Sequence, residues 1–237
     1  MNIKTVLSEI TKDYKIELTQ NQLEQFEKYF QLLIRWNEKI NLTAITDVNG
    51  VAVKHFADSL SLLNYIDINK KSKIIDVGTG AGFPGVVLKI ARPDIRLTLL
   101  DSLNKRLVFL NEVLTTLGLE AQLVHSRAED GAKNAEYRES FDFSVSRAVA
   151  RLNVLCEYCL PYVKTGGKFI AMKGSGADEE IIAAKSAISQ LGGKINNTHK
   201  FSLPNNEGER AIIVIDKVKA TEKQFPRISA KIKANPL

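Results

Sequence analysis

Lys73-Ile74-Ile75-Asp76-Val77-Gly78-Thr79-Gly80-Ala81-Gly82-Phe83-Pro84-Gly85 passes from a short apolar, β-branched run into a glycine turn and on into residues that open a helix. Such a run, bounded by turn residues, reads as a buried strand. A glycine turn between a strand and a helix lets a ligand approach the backbone closely. Further along, Leu97-Thr98-Leu99-Leu100 ends in Asp101, an acid placed to accept hydrogen bonds from a ribose. Two such strands form the nucleoside-binding half of a Rossmann-like sheet.

The glycines narrow the ligand. Gly78, Gly80 and Gly82 are spaced G-x-G-x-G, whereas a dinucleotide fingerprint wants its third glycine at position 83, where helix and strand come close. Phe83 stands there. A pyrophosphate would favour basic or hydroxyl groups beside the helix start, and beyond Thr79 the turn is apolar. S-adenosylmethionine needs no phosphate cradle. The turn would lie against its methionine part, Asp101 would hold the ribose and apolar side chains would flank the adenine. This reading is favoured over a nicotinamide or flavin nucleotide, and over a turn with no ligand, which leaves three glycines and a strand-terminal acid as coincidence.

A chain of 237 residues holds one Rossmann-sized domain and a small addition. Its 44% hydrophobic and 25% charged content is that of a globular protein. No export signal is readable at the start, and no apolar run is long enough to span a bilayer, so a cytoplasmic protein with no membrane partner is expected. Cys156 and Cys159 form a lone C-x-x-C without a second pair or a nearby histidine. That is a poor zinc signal, so they are expected to be reduced, half-buried helix residues and no metal is expected. Most of the formal charge of +6 falls after Asp216, where Lys217, Lys219, Lys223, Arg227, Lys231 and Lys233 face only Glu222. This segment has too few large apolar groups for a core of its own. It is expected to be drawn to phosphate, so that its deletion weakens RNA binding more than donor binding; a solvated tail that aids solubility is the plainer alternative.

Upstream of the turn the pattern is helical. Thr19 and Gln22 form a capping-box signature before Leu23, Phe26, Phe30, Leu33, Trp36 and Ile40. A second helix is expected through Val51, Phe56, Leu60 and Leu63. Downstream, strands at 73–77, 96–100, 121–125, 141–146 and 167–172 alternate with helices, which argues a parallel sheet. The segments 200–203 and 211–216 read as a closing antiparallel hairpin. The expected fold is α/β: a Rossmann-like, mostly parallel seven-stranded sheet with an antiparallel edge hairpin, similar to the class I S-adenosylmethionine-dependent methyltransferases. The expected units are an N-terminal helical cap over residues 1–70, the methyltransferase domain over 71–216 and the basic tail over 217–237.

Ligands of an open parallel sheet bind beyond the carboxyl ends of the strands, which makes Gly78 to Phe83, Asp101, Ser126 to Glu129, Arg147 and Lys173 the candidates. Enzymes that methylate exocyclic base amines resemble one another in an Asn/Asp-Pro-Pro-aromatic motif after the fourth strand, where this chain reads Ser146-Arg147-Ala148-Val149-Ala150. Methylation at pyrimidine C5 needs a thiolate in a Pro-Cys setting, and Cys156 follows Leu155. An acceptor with a free lone pair, such as guanine N7, fits better: it carries no proton and needs in-line placement rather than a general base. A small-molecule methyltransferase and a non-catalytic nucleotide-binding or division-regulating protein remain as alternatives.

Asn41-Leu42-Thr43, Lys54-His55-Phe56-Ala57-Asp58-Ser59, the glycine turn, Leu99-Leu100-Asp101-Ser102, Ser146-Arg147-Ala148, Met172-Lys173-Gly174 and Gly208-Glu209-Arg210 occur together in one order. In that set the chain resembles the bacterial 16S ribosomal RNA (guanine-N7) methyltransferases, the glucose-inhibited division protein B family. The resemblance implies methyl transfer from S-adenosylmethionine to N7 of a guanine in the decoding-region loop of 16S rRNA, on RNA or the small ribosomal subunit, by a monomer. It places Gly78, Gly80, Phe83, Ala128, Glu129 and Arg147 on the donor, with Asp101 on its ribose. Asn41, Arg127 and Lys173 would lie near the RNA, with Asn41, Arg147 and Lys173 at the reacting guanine and Lys173 gripping phosphate. His55 and Asp58 would brace the helical cap against the site.

Overall fold

The structure, a computed structural model, describes residues 2–237. Seven strands form one sheet in the order β3-β2-β1-β4-β5-β7-β6. β1 (Lys73–Val77), β2 (Arg96–Asp101), β3 (Gln122–His125), β4 (Phe141–Arg147) and β5 (Val163–Lys173) run parallel. β7 (Glu209–Lys217) is antiparallel to both β5 and β6 (Gly193–Ser202), as the expected hairpin requires, although β6 begins well before residue 200. From β1 the chain builds outward through β2 and β3, then returns to place β4 on the other side of β1. That reversal opens a crevice beyond the carboxyl ends of β1 and β4.

Successive residues of each strand face opposite sides of the sheet. Ile74, Leu97, Leu99, Phe143 and Val145 join one core; Ile75, Val77, Leu100, Phe169 and Ile213 join the other. The first core is covered by α1 (Ile3–Asp13), α2 (Gln20–Ile40), the helical segment 48–64, α5 (Gly85–Ala91) and α6 (Asn104–Leu117). Leu7, Phe26 and Phe56 thus share a cluster with the strands, and the N-terminal helices are built into the domain's core. Helix α1, which was not among the expected elements, is capped by Asn2, whose side chain accepts from Thr5 N at 2.9 Å.

The capping box of α2 forms as expected. Gln22 N donates to Thr19 Oγ1 at 3.3 Å and Thr19 N to Gln22 Oε1 at 2.8 Å. The Gln22 amide also donates to Ile90 O at 2.8 Å, so the cap ties α2 to the end of α5. Segment 48–64 comprises α3 (Val48–Val51), a π-helical stretch at Ala52–Ala57, α4 (Asp58–Leu60) and a 3-10 turn at Ser61–Asn64. The wider π turn shifts the facing of the following side chains, and such insertions gather at functional sites. Here it carries Lys54 and His55, with Asp58 directly after it.

The second core is covered by α8 (Leu152–Cys159), α9 (Ala177–Gln190) and, near the chain end, α10 (Ser229–Ala234). Cys156 and Cys159 are wholly buried in it, not half-buried, and burial pushes both thiols far up. Neither is a thiolate at neutral pH. Segment 217–237 is not simply solvated either: Lys217, Thr221, Phe225 and Ile232 are buried against the domain. Its apolar residues are few, but they complete a core that already exists. Among the described residues no helix is long and apolar enough to cross a membrane, and no cluster of three potential metal ligands occurs.

Candidate active site

The glycine turn is clamped from three sides. Gly78 N and Thr79 N donate to Leu100 O at 2.9 and 3.1 Å, fastening the turn to β2. Beneath it, the wholly buried Asp76 accepts from Thr79 Oγ1 and Gly85 N, both at 2.8 Å. Burial raises the Asp76 carboxyl to about 6 against those two bonds. From above, the buried Tyr29 hydroxyl of α2 donates to Ala81 O. Gly82 sits under that contact: a Cβ there would meet Tyr29 Oη at 2.5 Å. Gly80 is the opposite case. Its φ is +61°, and the nearest atom to an added Cβ is Gly78 O at 3.9 Å, so its backbone lies open to the cleft.

That cleft, about 630 Å³, lies at the carboxyl ends of β1, β2, β3 and β4. Asp101 ends β2 with its side chain 2% exposed. Its Oδ2 accepts from Gly80 N at 2.9 Å and from Arg106 at 3.3 Å, and its Oδ1 from Leu103 N at 2.9 Å. A carboxylate has about four lone-pair sites, so capacity remains for a ribose hydroxyl. Ser126, Arg127, Ala128 and Glu129 form the wall after β3. Tyr162 Oη donates to Ala128 O at 2.7 Å and fixes that turn, while Arg127 is exposed at the rim. Val154 and Tyr158 of α8 line the next side, followed by Ser229 and Lys233 from the chain end.

Arg147 stands between this cleft and a second hollow of about 580 Å³, and it lines both together with His55 and residues 148–150. Its guanidinium lies 5.0 Å from the Phe83 ring centroid and donates through Nη1 to Lys54 O at 2.8 Å and to Asp58 Oδ2 at 2.9 Å. Arg210 of β7 reaches the same Asp58 oxygen at 3.3 Å. His55 stacks on Phe83 at 4.6 Å and meets Thr43 Oγ1 at 2.7 Å through Nε2. Burial, then the Arg147 charge, lowers the imidazole to about 4, so it is neutral at physiological pH. Ala148, the next residue after Arg147, has φ +58°, a conformation costing a non-glycine residue about 1 kcal/mol or more.

The structure brings together most of the residues expected at the site: Gly78, Gly80, Phe83, Asp101, Arg127, Ala128, Glu129 and Arg147 all line the one cleft. Lys173 lines the second hollow, but its ammonium donates to Ala150 O and pairs with Glu180, both at 2.6 Å, and its side chain is only 7% exposed. Glu180 also accepts from Leu152 N at 2.7 Å. Lys173 therefore staples the loop after Arg147 rather than standing free for a phosphate. Asn41 is the left-handed cap of α2, exposed, with φ 42°; its neighbours Leu42 and Thr43 line the cleft instead. Tyr29, Thr43, Arg106, Arg210, Ser229 and Lys233 were not among the expected contacts. Tyr29 carried a signal in its place on the apolar stripe of α2, since a buried tyrosine hydroxyl needs a partner.

The residues present fit S-adenosylmethionine. The glycine turn presents bare backbone to the cleft with no basic side chain on it, a buried acid stands where a ribose would lie, and Ala128, Val154 and Tyr158 give apolar flanks. The sheet order, the antiparallel β7 and this cleft define a class I methyltransferase fold. It is similar to a putative methyltransferase from Bacillus halodurans, with TM-score 0.54 and 14% identity over 69% of this chain and 100% of that one. Sequence comparison is more specific: the rRNA small subunit methyltransferase G family matches residues 22–212, and the chain belongs to that family. It is 51% identical over 229 residues to the ribosomal RNA small subunit methyltransferase G of Desulforamulus reducens, covering 96% of this chain and 95% of that protein. To its namesake from Staphylococcus aureus strain JH9 it is 49% identical over 232 residues, or 98% and 97% of the two chains.

Proposed function

We propose that this protein methylates N7 of a guanine in the decoding-region loop of 16S rRNA, acting as a monomer in the cytoplasm on the RNA or on the small ribosomal subunit. The observation that carries the reading is the shared wall of Arg147, His55 and residues 148–150 between two hollows. One hollow holds the glycine turn and Asp101 and suits the donor. The other suits an unstacked base, which has to leave its stack to be reached. S-adenosylmethionine supplies a methyl group on a sulfonium, and transfer needs that carbon in line with the acceptor lone pair.

The chain's own groups position and balance charge. Tyr29, Asp76 and Leu100 O hold the turn, and Asp101 holds the ribose. Phe83 and Arg147 form the partition, with the Arg147 charge offset by Asp58. Guanine N7 bears no proton, so this wall needs no base. That matches its composition: His55 is engaged by Thr43, and Asp58 Oδ2 is shared by two arginines. Methylation leaves the purine cationic while the donor becomes neutral. A guanidinium already paired with a carboxylate tolerates that shift better than a bare ammonium.

Exposed Arg127 is the proposed phosphate contact. Lys173 acts through the loop it staples, and Asn41 through the turn that presents Thr43. The test is transfer of labelled methyl from S-adenosylmethionine to 16S rRNA or to small subunits from cells lacking the protein, followed by digestion to nucleosides. Label in 7-methylguanosine is expected. Donor binding with no label in RNA would overturn the reading in favour of another acceptor.

A further inference from the structure

Beyond β7 the chain forms a strap that climbs from the far end of the sheet to the cleft. It leaves β7 at Lys217, opposite the cleft, where Val218 N and Lys219 N donate to Gly192 O at 2.8 and 3.2 Å. Arg138 then gathers three of its carbonyls, donating to Thr221 O and Phe225 O at 2.8 Å and to Glu222 O at 3.1 Å. Next, Arg227 grips Glu157 of α8 in a two-pronged pair, Nη2 to Oε2 at 2.7 Å and Nε to Oε1 at 2.9 Å, with Glu157 fully buried. Ile232 is buried against the same core. These anchors carry Ser229 and Lys233 into the lining of the donor cleft, beside Val154 and Tyr158 of α8.

The strap's cations are therefore not a uniform phosphate-seeking set. Lys217 is 1% exposed, bonded to Leu160 O at 2.7 Å, and Arg227 is spent on Glu157. Lys233 is exposed, and among the described residues neither its ammonium nor the Ser229 hydroxyl has a hydrogen-bond or ion-pair partner. Helix α8 touches both α10 and α7 (Ala128–Gly131), so this wall adjoins the turn after β3, which the donor reading makes the adenine side of the cleft. Residues 213–237 lie beyond the part of the chain that the family match covers.

We propose that the strap belongs to the methyl-donor site: Ser229 and Lys233 donate hydrogen bonds to the adenosine end of S-adenosylmethionine, and docking of the strap on α8 sets donor affinity. Adenine ring nitrogens are neutral acceptors, a match for the donor hydrogens of a hydroxyl and an ammonium that have no protein partner. The proposal rests on the donor reading above. It reverses the expectation that losing this segment would affect RNA binding more than donor binding.

Calorimetric titration of S-adenosylmethionine and S-adenosylhomocysteine tests it, with the full chain, a Ser229→Ala/Lys233→Ala double variant and Ile232→Asp, which unseats α10. The double variant is expected to bind both ligands about fivefold or more weakly, the loss of one or two net hydrogen bonds. Ile232→Asp should lose at least as much. A second readout is acylation of Lys233, expected to slow when S-adenosylhomocysteine is bound. Affinities within about twofold of the full chain in the double variant would overturn the proposal; that variant changes only two cleft-facing side chains and decides the matter if Ile232→Asp fails to fold. A full chain that binds neither ligand would overturn the donor reading itself.

Discussion

At the scale of single residues, the proposed function makes opposite demands on two positions of the cleft. Gly80 presents bare backbone there. Replacing it with alanine forces φ +61° on a residue that pays about 1–2 kcal/mol for it, and it puts a methyl where the donor would lie against the backbone. Gly80→Ala is expected to fold with a slightly lowered melting temperature and to lose donor binding by more than tenfold in calorimetry; unchanged affinity would mean the ligand does not approach this turn. Arg147 presents its guanidinium to the wall between the two hollows. Arg147→Ala removes the partition between the hollows while Arg210 still pairs with Asp58, so the protein should remain folded. Methyl transfer should fall by about a hundredfold or more, in the range seen when a preorganised polar group is removed from an active site. Retained turnover, with circular dichroism showing an intact fold, would remove Arg147 from the mechanism. The place of both in the cleft wall was legible in the sequence, Gly80 from the spacing of three glycines after an apolar strand and Arg147 from its position at the end of the fourth strand. The partners of Arg147 were less so, because Asp58 and Arg210 are far from it in the chain and meet it only through the fold.

At the scale of elements, the sheet could be read because strand and helix periodicities differ and because glycines punctuate them, Gly78 after β1 and Gly118 as the left-handed cap that ends α6. The elements that were missed or shortened lack such contrast. The start of β6, Gly193-Lys194-Ile195-Asn196-Asn197, is a half-exposed edge strand whose polar residues hide its alternation, and it shows itself only by pairing with β7. The strap has too few apolar residues to read as packed, and its anchors, Arg138 and Glu157, come from elsewhere in the chain. The segment 48–64 was legible as a helix but not as a π turn, which is decided by where His55 and Asp58 must point. That placement has a cost that pH can reveal. The folded state lowers His55 to about 4, from an ordinary 6.5, by burial and the Arg147 charge. Between those values the unfolded chain binds the proton and the folded one resists it, so the contribution is present above pH 6.5 and is lost as pH falls toward 4. Asp76, raised to about 6 from 3.8 by burial, acts in the opposite sense, contributing below 3.8 and losing that contribution as pH rises toward 6. Urea unfolding at pH 7.5 and pH 5 should therefore show a smaller acid loss for His55→Gln than for the natural chain. An equal loss would show that His55 titrates normally. Helix α2 carries a separate prediction: Tyr29→Phe leaves Ala81 O without its buried donor, and urea unfolding should show a stability lower by about 1–2 kcal/mol, with donor binding weakened as the turn loosens.

At the scale of the whole molecule, two kinds of binding meet at one end of the sheet, and they should answer differently to salt. The donor site is enclosed by short-range contacts: a glycine backbone, a buried carboxylate and apolar flanks. Around it the exposed cations are unevenly spread. Arg127 stands at the cleft rim and Arg151 beside the second hollow, while Arg210 and Lys54 line that hollow but are paired with Asp58 and Glu207. A net charge of +6 adds a favourable long-range field for RNA approach. An RNA strand neutralised by about three to five cations, Arg127 and Arg151 among them, would release its counterions. The logarithm of the RNA association constant should then fall against the logarithm of salt concentration with a slope of about −2 to −3.5. Binding of S-adenosylhomocysteine, which neutralises no phosphate, should be nearly flat over the same range. Filter binding of the RNA and calorimetry of the donor product, both from 50 to 300 mM salt on the order of physiological strength, make the comparison. Arg127→Ala should reduce the RNA slope by about 0.7, one phosphate's share on a single strand, and leave the donor curve in place. A flat RNA curve would mean that the surface is not engaged with phosphate, and the substrate would then have to be a molecule small enough to enter the hollows alone. A slope unchanged by Arg127→Ala would keep RNA as the substrate and move its path across the surface toward Arg151 and the second hollow.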